Sequence, residues 1–185
     1  MIDDVLKSTR ERMEKTVAST RQEFTSLRTG RANPALLDRV VVNYYGAPTP
    51  LRQLASIGAP EPRLLTVTPF DKSIFKDIER AIAEAELGFN PSNDGVIIRL
   101  PVPELTEDRR KEMVKLAKKM AEEGRIALRN VRRDAISDLK KVQDAGDASE
   151  DQVRDSEKDI QKITDEHVAS IDDALKSKEA EVMEV

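Results

Sequence analysis

Apolar residues follow two different rhythms along the chain. From Met1 to Thr29 they recur at helical spacing, with Val5, Met13, Val17, Phe24 and Leu27 near one face and Thr9 and Thr20 filling the gaps in that stripe. This predicts one long helix, stopped by Gly30. From Arg31 to Glu104 the helical rhythm gives way to short runs of Val, Ile and Tyr bounded by Gly and Pro, at Val40–Tyr45, Leu64–Thr68 and Val96–Leu100. Such runs predict strands. A helix is expected between them from about Lys72 to Leu87. Asp71 is its cap, Ile74, Ile78, Ile82 and Ala85 share a face, and Gly88 ends it.

The helical rhythm then returns. Pro101-Val-Pro103 is a stiff exit through which no helix runs, because a proline pushes the residue before it out of the helical region. Thr106 is a good N-cap, and Glu107 and Asp108 suit the positive end of a helix dipole. A long helix is predicted to about Val142. Met113, Ala117, Met120, Gly124, Leu128, Val131, Ala135 and Val142 form its core face, and Gly124 on that face points to close packing against a neighbour. After a turn at Asp144–Ala148, Ser149-Glu-Asp-Gln152 has the capping-box pattern. A last helix then runs nearly to the C-terminus, with Val153, Ile160, Ile163, Ile171 and Leu175 facing inward.

A single helix is marginal in water, so the first and the last two are expected to pack together. The fold class is therefore α+β in two domains: an antiparallel three-helix bundle (1–30 and 105–185) with an inserted small α/β (β/α/β) domain (31–104). The two chain crossings, Thr29-Gly30-Arg31 and Glu104-Leu105, suggest a hinge.

Composition narrows the function. All nine prolines and both tyrosines lie in the inserted stretch. The absence of cysteine excludes disulfides, thiol catalysis and cysteine metal sites. No apolar run is long enough for a membrane span, and the acidic Met1-Ile-Asp-Asp4 start is unlike a signal peptide. A cytoplasmic protein with no membrane partner is expected. His167 is the sole histidine and is read as an ordinary helix residue, and no phosphate-loop or metal-ligand pattern occurs. Neither an enzyme nor a cofactor is indicated.

Charge carries the positive information. The chain is net acidic at -4, yet from Arg109 to Arg133 ten Lys/Arg face three Asp/Glu, and from Asp134 onward seven face sixteen. Lys111, Lys118, Arg125 and Arg132 repeat every seven residues with Lys115 and Arg129 between them, giving one broad basic face that Glu122 interrupts. Charge runs are commonly solvated faces laced by internal ion pairs, but acidic partners four residues away are scarce here. A straight basic face suits a polyanion, and the arginine fork suits phosphate. RNA read by shape and phosphate is favoured over DNA, since no helix-turn-helix, zinc finger or aromatic stacking motif is present. A helical adaptor or coiled-coil protein is the alternative; the Pro/Gly-rich insertion and the lack of a sustained heptad seam speak against it.

Several stretches resemble the ribosome recycling factor family: Arg28-Thr-Gly-Arg-Ala-Asn-Pro34, Leu36-Leu-Asp38, Tyr44-Tyr-Gly46, Thr49-Pro-Leu51, Gln53-Leu-Ala55, Leu105-Thr-Glu-Asp-Arg-Arg-Lys111 and Arg129-Asn-Val-Arg-Arg-Asp-Ala135. Asp108 stands where the family usually has Glu. The resemblance spans essentially the whole chain. It implies an L-shaped, tRNA-sized monomer that binds the post-termination ribosome between its subunits. With elongation factor G and GTP, such a protein splits the subunits and releases mRNA and tRNA, the partner hydrolysing the GTP. It further implies that Arg132 and Arg129, then Arg28, Arg31, Arg110 and Arg133, contact large-subunit ribosomal RNA. Lys111, Lys118 and Arg125 join them from the charge pattern.

Overall fold

The computed structural model describes residues 1–184. By backbone contacts the chain divides into two compact units: Met1–Phe24 with Lys111–Val185, and Thr25–Arg110.

The first unit is built from three long helices, α1 (Ile2–Thr25), α3 (Glu107–Asp144, entering the unit at Lys111) and α4 (Glu150–Met183). The sequence supplies their ends. Thr106 Oγ1 accepts the Arg109 N–H at 3.2 Å at the start of α3. At Ser149 the capping box is complete: Ser149 Oγ accepts from Gln152 N, and Gln152 Oε1 accepts from Ser149 N. α1 ends at Thr25, short of the expected Thr29. Its last residue, Thr25, and Ser26 just beyond it are hydroxyl residues that compete with the helix for backbone hydrogen bonds.

Each helix buries one stripe. Met13, Val17 and Phe24 of α1, Leu128 and Leu139 of α3, and Ile160, Ile163 and Ile171 of α4 are enclosed. Met113, Met120 and Leu175, expected in the core, are half-buried at its margin. Between the large residues the stripes carry small and hydroxyl ones: Ala117, Ala121, Gly124 and Ala135 on α3, Thr9 and Thr20 on α1, Ser156 and Thr164 on α4. The buried hydroxyls cost little, because Thr9, Thr20, Ser156 and Thr164 each donate to the carbonyl one turn earlier. A Cβ on Gly124 would meet Thr20 Oγ1 at 2.5 Å and Ile171 Cδ1 at 3.0 Å, so the glycine lets three helices converge there. Arg12 and Thr20 of α1 meet Asp134 and Gly124 of α3, and Arg125 and Arg132 of α3 meet Asp172 and Gln161 of α4, so α3 runs antiparallel to both neighbours.

The second unit holds six strands where three were expected. β1 (Val41–Tyr44) and β2 (Ala47–Pro50) form a hairpin. β3 (Ala55–Glu61), β4 (Leu64–Pro69), β6 (Ile98–Pro101) and β5 (Ser92–Asn93) form an antiparallel sheet in that order. The hairpin turns on Tyr45 and Gly46, both at positive φ (48° and 83°), as a tight two-residue turn requires. α2 (Phe75–Glu84) follows a short 3₁₀ turn that Asp71 caps through Ser73 N. It stops before Glu86 and Gly88, both at positive φ. Its Ile78 and Ile82 join Leu37, Val42, Leu51, Leu65, Val67, Ile98 and Leu100 in one dense aliphatic core.

The residues expected at the hinge all fall within this second unit. Gly30 lies against Leu105, so the two crossings run side by side. They are held on the β3–β4 turn: Ala32 N donates to Pro62 O, Val102 N donates to Arg63 O, and Glu104 pairs with Arg63.

Candidate nucleic-acid interface

α3 presents two distinct basic lines. The heptad-spaced one, Lys111, Lys118, Arg125 and Arg132, drifts around the helix by about 20° per repeat. Its later members therefore approach the seam with α4. Arg125 is held there by Asp172 Oδ1 at 2.6 and 2.9 Å and by Glu122 Oε2 at 3.0 Å, with only 21% of its side chain exposed. The Asp172 hydrogen bond, with Glu122 second, holds the Arg125 guanidinium above its ordinary pKa despite burial. Arg132 reaches Gln161 Oε1 of α4 at 3.2 Å.

The other line lies on the exposed side of α3, its first member Lys115 bordering α4. Lys115, Lys119, Glu122, Ile126, Arg129, Arg133, Ile136 and Lys140 alternate steps of four and three, and all eight are exposed. On one flank Asp134 turns to Arg12 of α1; on the other Arg125 and Arg132 turn to α4. Arg129 leans on Glu122 Oε1 at 3.3 Å, and these arginines hold the Glu122 carboxyl below the usual range, Arg125 most of all. Arg133 has no ion-pair partner among the described residues.

The expected RNA-contact residues thus group as follows. Arg129, Arg132 and Arg133 lie within one turn of each other at mid-α3. Lys111 and Lys118 lie farther along, where with Val114, Lys115, Glu179 and Met183 they line an open hollow of about 450 Å³. Arg28, Arg31 and Arg110 belong to the second unit; Arg28 passes close over Gly88. Lys119, Ile126, Ile136 and Lys140 were absent from the sequence-based set. Their 4-3 spacing with Arg129 and Arg133 was the available signal, hidden by two isoleucines and a glutamate in a line sought as purely basic.

Other chemistry is sparse. His167 Nδ1 lies 2.6 Å from the Ile163 carbonyl of its own helix. Among the described residues no acidic, histidine and cysteine group has metal-binding geometry, and no helix is long and apolar enough to cross a membrane.

Comparison with known proteins agrees at every level. The profile of the ribosome recycling factor family matches residues 20–183. The chain is 57% identical to the ribosome-recycling factor of Bacillus velezensis and 55% identical to that of Bacillus subtilis, in each case across the full length of both chains. A solution structure of a ribosome recycling factor superposes with a TM-score of 0.77 at 37% identity, covering 100% of this chain and 98% of that one. The recycling factor of T. thermophilus, described with E. coli elongation factor G on an E. coli post-termination complex, gives 0.69 at 44% identity with both chains fully covered. Three long helices, an inserted antiparallel sheet and full-length identity above half all lead to one conclusion: the chain belongs to the ribosome recycling factor family, whose members are translation factors rather than enzymes.

Proposed function

We propose that the protein binds the post-termination ribosome and, together with elongation factor G and GTP, separates the subunits and frees mRNA and tRNA. It needs no cofactor of its own and acts as a monomer in the cytoplasm, where ribosomes translate. The observation that carries the reading is the cluster of Arg129 and Arg133, both exposed, and the half-buried Arg132 at the middle of a long helix, in a chain whose net charge is negative. A net-acidic molecule gains nothing from diffuse attraction to RNA, so its contact must be local and shaped. Arg129 and Arg132 take large-subunit ribosomal RNA first, with Arg133, Lys111 and Lys118 alongside and Arg28, Arg31 and Arg110 contributing from the second unit. Arg125 is assigned mainly to the α3–α4 seam, because Asp172 already engages its fork.

Sedimentation with vacant ribosomes at several salt concentrations tests this. Arg132→Ala should weaken binding and reduce the slope of log K against log salt by about 0.7–0.9, one phosphate's worth. Arg125→Gln should leave that slope nearly unchanged and lower the melting temperature instead, the loss being roughly 1 kcal/mol for a partly buried pair whose carboxylate is still in water. A folded wild-type protein that fails to bind at low salt would return the chain to the helical-adaptor reading.

Subunit splitting also needs motion. The chain crossings Thr29–Arg31 and Glu104–Leu105 are the proposed hinge; the contacts divide a few residues away, at 24–25 and 110–111. A short cross-link joining the units should abolish splitting while sparing ribosome binding. Splitting that survives the cross-link removes the hinge from the mechanism.

A further inference from the structure

The outward ridge of α3 contains more than charge. Ile126 is 48% exposed and Ile136 37% exposed; the other exposed large apolar residue of α3 among the described residues, Leu116, lies off this line. The two isoleucines occupy the same 4-3 line as the arginines: Ile126, Arg129, Arg133 and Ile136 succeed one another at steps of three, four and three. The full ridge from Lys115 to Lys140 extends roughly 38 Å, and the two isoleucines stand about 15 Å apart at 1.5 Å per residue. Neither is needed for the bundle. The helix already has its core stripe of Ala117, Ala121, Gly124, Leu128, Val131, Ala135, Leu139 and Val142 on the opposite side.

A phosphate track alone would give isoleucine nothing to do. Two branched apolar side chains bracketing two arginines match a partner that is both anionic and apolar within the same 15 Å or so. RNA offers that where sugar and base faces are exposed beside phosphates, in a loop, at a helix end or in the wide, shallow groove of a duplex. Glu122 at one end of the bracket adds a boundary. Its carboxylate already leans on Arg129 and would repel a phosphate seated over it, so the anionic part of the partner is confined to the Arg129–Arg133 stretch.

We propose that Ile126, Arg129, Arg133 and Ile136 form one mixed contact line, in which the arginines take RNA phosphates while the isoleucines press on exposed sugar or base faces. This rests on the ribosome-binding reading above and adds to it a salt-independent component. Both side chains are partly exposed and lie off the buried stripe, so polar replacement should preserve the fold and change chiefly what docks.

The experiment is binding to purified large ribosomal subunits across a salt series, comparing wild type, Arg129→Ala, and the double variant Ile126→Ser with Ile136→Ser. Circular dichroism melting serves as the folding control. The isoleucine pair should weaken binding about tenfold at every salt concentration with the salt slope unchanged, as loss of apolar burial predicts. Arg129→Ala should instead flatten the slope. A double variant that binds like wild type, while Arg129→Ala still weakens binding, overturns the mixed line and leaves the ribosome reading standing. A wild-type protein that does not bind overturns both. A photo-reactive residue at position 126 or 136 then identifies what lies opposite. Cross-links to ribosomal RNA support the proposal, and cross-links solely to ribosomal protein overturn it.

Discussion

The two units solve the same problem of burial with different materials. The second unit encloses large aliphatic side chains: Leu37, Leu51, Leu65, Ile78, Ile98 and Leu100 are all essentially inaccessible within one cluster closed by sheet, helix and hairpin. The first unit draws much of its interior from alanine, glycine, threonine and serine, spread thinly along three helices. Small residues let the helices approach closely, and each helix then needs only a narrow inward stripe. The rest of its circumference stays free. Long exposed ridges such as that of α3 are the direct product of a thin core, and a compact globular core of the second unit's kind leaves no such ridge.

This contrast has measurable limits. The largest effect is expected for Ile78→Ala, which empties a fully buried position in the second unit's cluster. The loss should be about 2–5 kcal/mol, read as faster amide exchange across β4 and β6. Exchange accelerated equally in α3 and α4 would mean that the two cores do not behave separately. Next comes Gly124→Ala. On helix propensity alone it should stabilise by about 1 kcal/mol. The Thr20 and Ile171 contacts oppose this, and Thr20 is a stiff branched side chain already bonded to Thr16 O. A net loss of about 1–2 kcal/mol is expected, recovered in part when Thr20→Ala is added; a rise in melting temperature would show that the convergence at Gly124 is looser than it stands. The smallest effect is electrostatic. Asp94 takes backbone hydrogen bonds from Ile97 and Val96 and one from Arg99, which lower its carboxyl pKa to about 2. Because the folded value lies below the unfolded one, the turn's stabilisation is full above the ordinary aspartate range and fades as pH falls toward 2. Carboxyl chemical shifts should place the Asp94 midpoint near 2; a midpoint at the ordinary value would mean that the turn is not closed in solution.

The same contrast governs what could be read from the chain. The helices were legible because period 3.6 persists over many turns, and their starts because Thr106 and Ser149 announce themselves chemically. The strands were half legible. β2 contains Pro48 and Pro50, and β3 contains Gly58 and Pro60, compositions that speak against strand. Both survive because they lie at an edge: β2 in a two-stranded ribbon, and β3 at the border of its sheet with a register shift between Gly58 and Glu61. In the interface, Arg129, Arg132 and Arg133 were found by charge density and resemblance. The outward ridge was not, since Glu122, Ile126 and Ile136 break its run of basic charge. Which guanidinium an acidic neighbour occupies depends on another helix. Asp172, 47 residues beyond Arg125, gave no local sign that it would claim it.

The Gly124 convergence also has a bearing on how the protein is made. α1 finds its partners at Gly124 and Asp134, the latter 122 residues away in sequence, whereas α3 and α4 are joined by a tight capped turn. On a translating ribosome α1 is made before α3 and α4, so Gly124 and Asp134, which meet Thr20 and Arg12, are added only after the whole second unit. The intervening sheet unit is complete before then and brings the chain ends of its insertion together, turning a long loop closure into a short one. The first helix of its unit to be made therefore waits longest for its partners.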